Sequence, residues 1–211
     1  MKKIYYLLFI ALISIIPAQD NGAAIKLGYF NPSATDGGFI IGYEGNRYID
    51  EYFNIGWSID WFNKNYTDQS LVNEFNNIYG IHANENELRA KTNLHNIPLM
   101  FTATASFPTG PRARTYITGG VGAEVLLIYF RNFTNPDDDE FHALFDFSWR
   151  IGVGMLYELG SRSDVFGELA YHNSKPSWDY EVTDSQGNKH IFIREFDMSG
   201  IMFRVGVKFL F

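Results

Sequence analysis

Apolar residues recur at every second position along eight separate stretches of the chain. Each stretch reads as a β-strand with one apolar and one mixed face. In the last of them, Ile201–Phe211, the residues Ile201, Phe203, Val205, Val207, Phe209 and Phe211 share a face. Met202, Arg204, Gly206, Lys208 and Leu210 share the other. The same alternation predicts strands over Ala24–Phe30, Phe39–Glu44, Phe53–Phe62, Asn96–Phe107, Arg114–Phe130, Leu144–Glu158 and Asp164–His172. The third is the clearest, with Phe53, Ile55, Trp57, Ile59 and Trp61 interleaved by Asn54, Gly56, Ser58 and Asp60. Pro98 lacks a ladder donor, so that end of the fourth strand is expected to be bulged or irregular.

The connections alternate in length. Gly45–Tyr52, Pro108–Ala113 and Leu159–Ser163 are short, whereas Asn63–His95, Arg131–Ala143 and Asn173–Gly200 are longer. Within the last of these, Asp179–Thr183 and His190–Phe196 flank a polar Asp184–Lys189 and predict an additional hairpin. Aromatics gather at both strand ends: Tyr52, Phe107, Tyr116, Tyr157, Phe209 and Phe211 on the short-turn side, Trp61, Phe62, Tyr129, Phe130 and Tyr171 on the long-loop side. Two such girdles are expected where a sheet crosses a bilayer.

The apolar face is continuous and aromatic, while the other is rich in Gly, Ser, Thr and charge. Small polar residues suit a cramped lumen better than a solvated exterior. That predicts an apolar-out, polar-in closed barrel, the arrangement lipid demands because closure leaves no unpaired edge. Composition adds the route. Met1-Lys2-Lys3, the apolar run Ile4–Ile16 and Pro17-Ala18-Gln19 form a secretory signal with cleavage expected after Ala18. Beyond it no apolar run approaches the roughly 20 residues of a membrane helix. There are no cysteines, and aromatics make up 17% of the chain. The formal charge is −7, and loss of Lys2 and Lys3 makes the mature chain more acidic, which excludes a nucleic-acid-binding surface.

The closing strand, its terminal Phe211, the even strand count and the alternating loops resemble the small eight-stranded outer-membrane β-barrel family, the OmpA/OmpX-like barrel domain. The resemblance covers about Ala23–Phe211. It implies an all-β, single closed antiparallel up-and-down transmembrane barrel of eight strands, with short periplasmic turns and longer extracellular loops. Residues 1–18 would be the signal peptide and 19–211 the barrel domain. Both termini would be periplasmic, lipid and lipopolysaccharide would surround the wall, and Phe209 and Phe211 would belong to the signal read by the barrel assembly machinery.

Ten charged side chains fall on the lumenal rows: Lys26, Glu44, Asp60, Glu124, Asp146, Arg150, Glu158, Glu168, Arg204 and Lys208. A barrel of eight strands is barely wide enough to hold side chains, so these charges are expected to pair into a plug, with Arg150 and Arg204 as the central cations. The alternative is a narrow porin-like channel for ions or small solutes. A third reading is a secreted soluble barrel with a hydrophobic ligand. In the third outer loop, Asp137, Asp139 and Glu140 are candidate ligands for a divalent cation, which prefers oxygen donors, though without EF-hand spacing. His95, His142, His172 and His190 with Ser148 are candidates for hydrolysis, which needs a Ser–His pair in hydrogen-bond reach. Ser148 falls well below His142 with no motif around it. The sequence therefore reads as a non-enzymatic protein without cofactor. Its variable parts are the loops 63–95 and 173–200, where an extracellular partner would bind, the second by strand addition to its hairpin.

Overall fold

Alternation of the kind seen at Phe53–Trp61 fixes which face of a strand turns inward, and pairing then fixes the ring. The computed structural model describes residues 21–67, 91–131, 139–183 and 189–211. The expected signal segment and Asp137 lie outside these residues. Ten strands follow in chain order: β1 (Asn21–Pro32), β2 (Gly38–Tyr48), β3 (Phe53–Thr67), β4 (Lys91–Pro108), β5 (Ala113–Arg131), β6 (Asp139–Gly160), β7 (Ser163–Asn173), β8 (Ser177–Thr183), β9 (Lys189–Glu195) and β10 (Gly200–Leu210).

Eight of them close an antiparallel barrel in the order β1-β10-β7-β6-β5-β4-β3-β2, while β8 and β9 form a separate two-stranded sheet. The seam is continuous. Ile25 faces Val207, Tyr29 faces Phe203, and below the last pair Asn21 and Phe211 exchange backbone hydrogen bonds of 3.0 and 3.2 Å. Tracing the pairings once round the ring returns to β1 displaced by roughly 10 residues, a stagger that tilts the strands and leaves room only for side chains.

The wall is uneven in height. β1, β2, β7 and β10 have 11 or 12 residues, but β3, β4, β5 and β6 have 15, 18, 19 and 22. These taller strands run beyond the sequence-based bounds, so the loop expected over 63–95 contributes both its ends to β3 and β4. Turns 49–52, 109–112 and 161–162 lie at the end that holds the termini, here the terminal end; the other is the loop end. The hairpin expected in 173–200 is present as β8–β9, with Trp178 opposite Arg194 and Tyr180 opposite Phe192.

Pro98 produces no bulge. The β4–β5 register runs through it, with Pro98 opposite Glu124. On the β3 side the ladder lapses between the pairs Ile59–Leu99 and Phe62–Asn96 and resumes unshifted. A missing donor interrupts pairing without inserting a residue.

The sidedness is inverted relative to a soluble barrel. Outward residues such as Phe101, Phe145, Phe39 and Ile201 are largely bare, whereas Arg204, Asp60, Glu124 and His172 are fully enclosed. Two girdle assignments fail. Tyr116 and Phe62 are buried inside the barrel, because parity on their strands turns them inward whatever their height. Trp61, Tyr129 and Tyr171 at the loop end, and Tyr52, Phe107, Tyr157, Phe209 and Phe211 at the terminal end, do face outward.

Candidate functional site

The lumen is filled in layers. In the middle one, β3 contributes Asp60, β6 Arg150 and β10 Arg204. Arg150 Nη1 donates to Asp60 Oδ2 at 2.6 Å and Nη2 to Ser58 Oγ at 2.9 Å. From the other side Arg204 Nη1 donates to both Asp60 oxygens at 3.2 Å, and its Nη2 donates to Glu168. The chain continues downward. Lys26 pairs with Glu44 and stands 3.9 Å from Glu168, Asn46 donates to Glu44 at 3.2 Å, and Tyr116 donates to Glu168 at 3.1 Å. Lys26, Arg150 and Arg204 thus face Glu44, Asp60 and Glu168 in a neutral network. Charges withdrawn from water require such partners, since an unpaired one is costly to bury.

The remaining lumenal candidates are placed elsewhere. Lys208 is buried, with its ammonium 5.7 Å from the centre of the Tyr48 ring. Glu158 belongs to the rim at the terminal end, where it accepts from Arg114 at 3.1 Å with both side chains about a third exposed. Asp146 lies at the loop end and anchors the start of the hairpin, accepting from Ser174 Oγ at 3.1 Å and from the Lys175 amide at 2.6 Å. Lys175 in turn reaches Glu195 at 3.3 Å and Asp197 at 3.9 Å. The Glu195 hydrogen bond and these carboxylates hold its ammonium above the usual lysine range. Glu124 is not in the central network. It pairs with His172, both fully enclosed.

His172 stands out in the sequence only as a catalytic candidate, although its parity already puts it on the lumenal row of β7. Ser148 donates to the Met100 sulfur at 3.2 Å rather than to an imidazole. His95 is on the exterior, stacked on Trp61 at 6.0 Å between ring centres. Asp139 and Glu140 begin β6, with their side chains outside the described residues, as is Asp137.

Above the charged layer the lumen becomes apolar, which the sequence did not announce. Phe30, Ile40, Phe62, Leu94, Leu126 and Ile128 form a buried apolar cluster with Met202, Phe196 and Met198. The last two come from the strap Phe196–Ser199, which leads from the hairpin into β10. Ala34 N donates to Asp197 O at 2.8 Å, Ser33 N to Ser199 O at 2.9 Å and Met198 N to Ser174 O at 3.0 Å. The strap therefore ties the β1–β2 turn to the end of β7 and sets two side chains into the mouth as a stopper.

The terminal end, by contrast, is hollow. A vestibule of about 970 Å³ is bounded by Tyr48, Arg114, Glu158, Arg162, Asp164 and Phe211. Next above it is a void of about 20 Å³ beside Lys26, Glu44, Tyr116 and Lys208, space for about one water molecule.

A closed ring of eight strands with this sidedness has counterparts among solved structures. Neisserial surface protein A matches with a TM-score of 0.56 and 10% identity over 90% of this chain and 96% of that one. The outer membrane protein OprG from Pseudomonas aeruginosa matches with a TM-score of 0.58 and 10% identity, covering 90% and 95%. A major outer membrane protein from Thermus thermophilus gives 0.58 and 12%, covering 91% and 98%. The fold is that of the small eight-stranded outer-membrane β-barrels. No family model matches the chain, and no curated protein does. At such identities the likeness extends to the architecture of the outer-membrane barrel and not to any activity. Within that architecture the lumen of this barrel holds a salt-bridge network below and an apolar stopper above.

Proposed function

We propose that the chain is an integral outer-membrane protein whose barrel is a closed anchor rather than a pore, and that its work is done by the loop end. The observation that carries this reading is the double seal of the lumen, ionic around Asp60 and apolar around Met198. A solute would have to break a neutral network of buried ion pairs and then displace a packed cluster. In this reading the signal segment directs export and the barrel assembly machinery reads Phe209 and Phe211. Both termini stand in the periplasm, and lipid and lipopolysaccharide surround the wall. The aromatic, largely bare exterior favours this over a secreted soluble barrel, whose outward face would be polar.

Among the described residues the surface offered outward is built largely from strands. The hairpin β8–β9 is not paired with the strands of the ring, and its edges are suited to a partner that adds a strand. Such a partner is the role we assign to the 173–200 connection, together with the upper parts of β3 and β4 from the 63–95 connection.

Recording from the purified mature protein in planar bilayers tests the closed-anchor reading. Silence is expected under applied voltage. Stepwise conductance that disappears when lumenal side chains are exchanged would show a channel and reject the plug. Heat-modifiable migration on a denaturing gel checks beforehand that the sample is a closed barrel.

A further inference from the structure

The outward apolar surface does not end at one height around the ring. On β1 the outward row Ile25, Leu27, Tyr29 turns polar at Asn31. On β3 it turns polar after Trp61 at Asn63, and on β7 after Tyr171 at Asn173. Trp149 of β6 is paired with that same Asn173, yet β6 continues outward with Phe147 and Phe145, which are 64% and 71% exposed. They are paired with Ala123 and Val125 of β5, whose own outward row goes on through Leu127. Tyr129 and Phe141 end the row as a ring pair 4.9 Å apart. With about 3.3 Å per residue along a strand tilted by ~40°, Phe145 stands roughly 10 Å above Trp149.

Two phenylalanines so exposed, with no polar residue between them and the belt below, are not a solvated face. Leaving that much apolar area in water is unfavourable. The row is unbroken from Ile151 and Trp149 upward, so what covers the belt covers its extension. The polar limits on β1, β3 and β7 rule out a bilayer edge that is merely higher all round. Resting on the membrane-spanning reading above, we infer that outer-leaflet acyl chains cover Val125, Leu127, Phe145 and Phe147, so that the barrel leans toward its β5–β6 side. Tilt of this kind is how a span longer than the local hydrocarbon is accommodated. Here only one side of the ring is longer.

The chain has no cysteine, so a nitroxide can be attached at single introduced positions. Phe145→Cys, Ile151→Cys and Asn63→Cys are labelled in the full mature protein and reconstituted into phosphatidylethanolamine–phosphatidylglycerol vesicles. Collisions are then read with oxygen, which concentrates in hydrocarbon, and with a water-soluble nickel chelate. The expected result at Phe145 is the loss of nickel contact and gain of oxygen contact also seen at Ile151, against a nickel-accessible Asn63. Nickel contact at Phe145 with Ile151 still in lipid would overturn the lean while leaving the spanning reading intact. Nickel contact at Ile151 as well would overturn both. Shielding of Phe145 from both reagents would overturn the inference in favour of a protein cover, whether a second copy or another segment of the chain. Heat-modifiable migration verifies folding of each variant, and Phe147→Cys replaces Phe145→Cys if the latter does not close.

Discussion

Arg150 Nη1 lies 2.6 Å from Asp60 Oδ2, joining side chains ninety positions apart in the chain across the middle of the barrel. Because Arg204 donates to the same carboxylate, Asp60 is the point on which both central cations depend. Replacing its charge leaves Arg150 with the neutral Ser58 and Arg204 with only Glu168, and the buried network with one uncompensated cation. Asp60→Asn is expected to destabilise the folded barrel by about 3–5 kcal/mol. Glu158→Gln, at the partly exposed rim, is expected to change stability by less than about 1 kcal/mol. Urea titration of the reconstituted protein, followed by tryptophan fluorescence, measures both. Equal effects would show that Asp60 is not the hub.

Gly154 sits opposite Tyr116 in the β5–β6 ladder, and a Cβ there would run into the Tyr116 ring. That ring holds its hydroxyl on Glu168 only because position 154 is bare. Gly154→Val is expected to cost about 1–3 kcal/mol by overpacking and to detach the Tyr116 hydroxyl. Gly119, whose outward side is open, serves as the comparison, and Gly119→Val is expected to fold normally. Folded yield in vesicles distinguishes them, and parity between the two variants would refute the steric account.

Met198 is fully buried in the apolar cluster although it comes from a strap rather than a strand. Met198→Ala is expected to cost about 2–5 kcal/mol in packing. The effect should be local, because the strap's backbone bonds run to Ser33, Ala34 and Ser174 rather than to the charged layer. Hydrogen exchange should quicken at the amides of Ser33, Ala34 and Met198, which the strap contacts tie down, and remain unchanged at Lys26 and Arg204. Uniform quickening throughout the barrel would mean the stopper and the ring unfold together.

Phe211 exposes about half its surface outside the barrel while its backbone amide and carbonyl bind Asn21. Its side chain belongs to neither buried apolar cluster, so its expected importance is to assembly. Phe211→Ala should alter unfolding free energy by less than about 1 kcal/mol but lower the amount recovered in outer membranes. Replacing Asp137, Asp139 and Glu140 together by Asn and Gln should leave recovery unchanged. Identical recoveries would remove Phe211 from the assembly signal.

Period-two alternation made the ring legible, since residues such as Trp57 and Ser58 must face opposite ways in any strand. It made visible which charges point inward but not their height. Spacing along β6 already orders Asp146, Arg150 and Glu158 from mouth to rim, but which of them lies level with Asp60 of β3 is set by the stagger between strands. Tyr116 and Phe62 stand near strand ends, where girdle aromatics are expected, but parity turns both into the lumen. The strap was illegible because Phe196 and Met198 belong to no regular run, and their burial depends on β1 and β7 residues far away in sequence. His172 shows the remaining gap: its face was readable, but its partner Glu124 is fixed only once β5 and β7 come within reach across the lumen.

The backbone bonds between Asn21 and Phe211 make the β1–β10 seam like any other junction in the ring. The order in which the chain visits the strands is then separable from the shape they form. A short linker between those two residues, with new ends opened in the tight 161–162 turn, would leave every ladder in place. The barrel is in this sense a circle cut at an arbitrary point, and a circularly permuted chain should close on the same lumen.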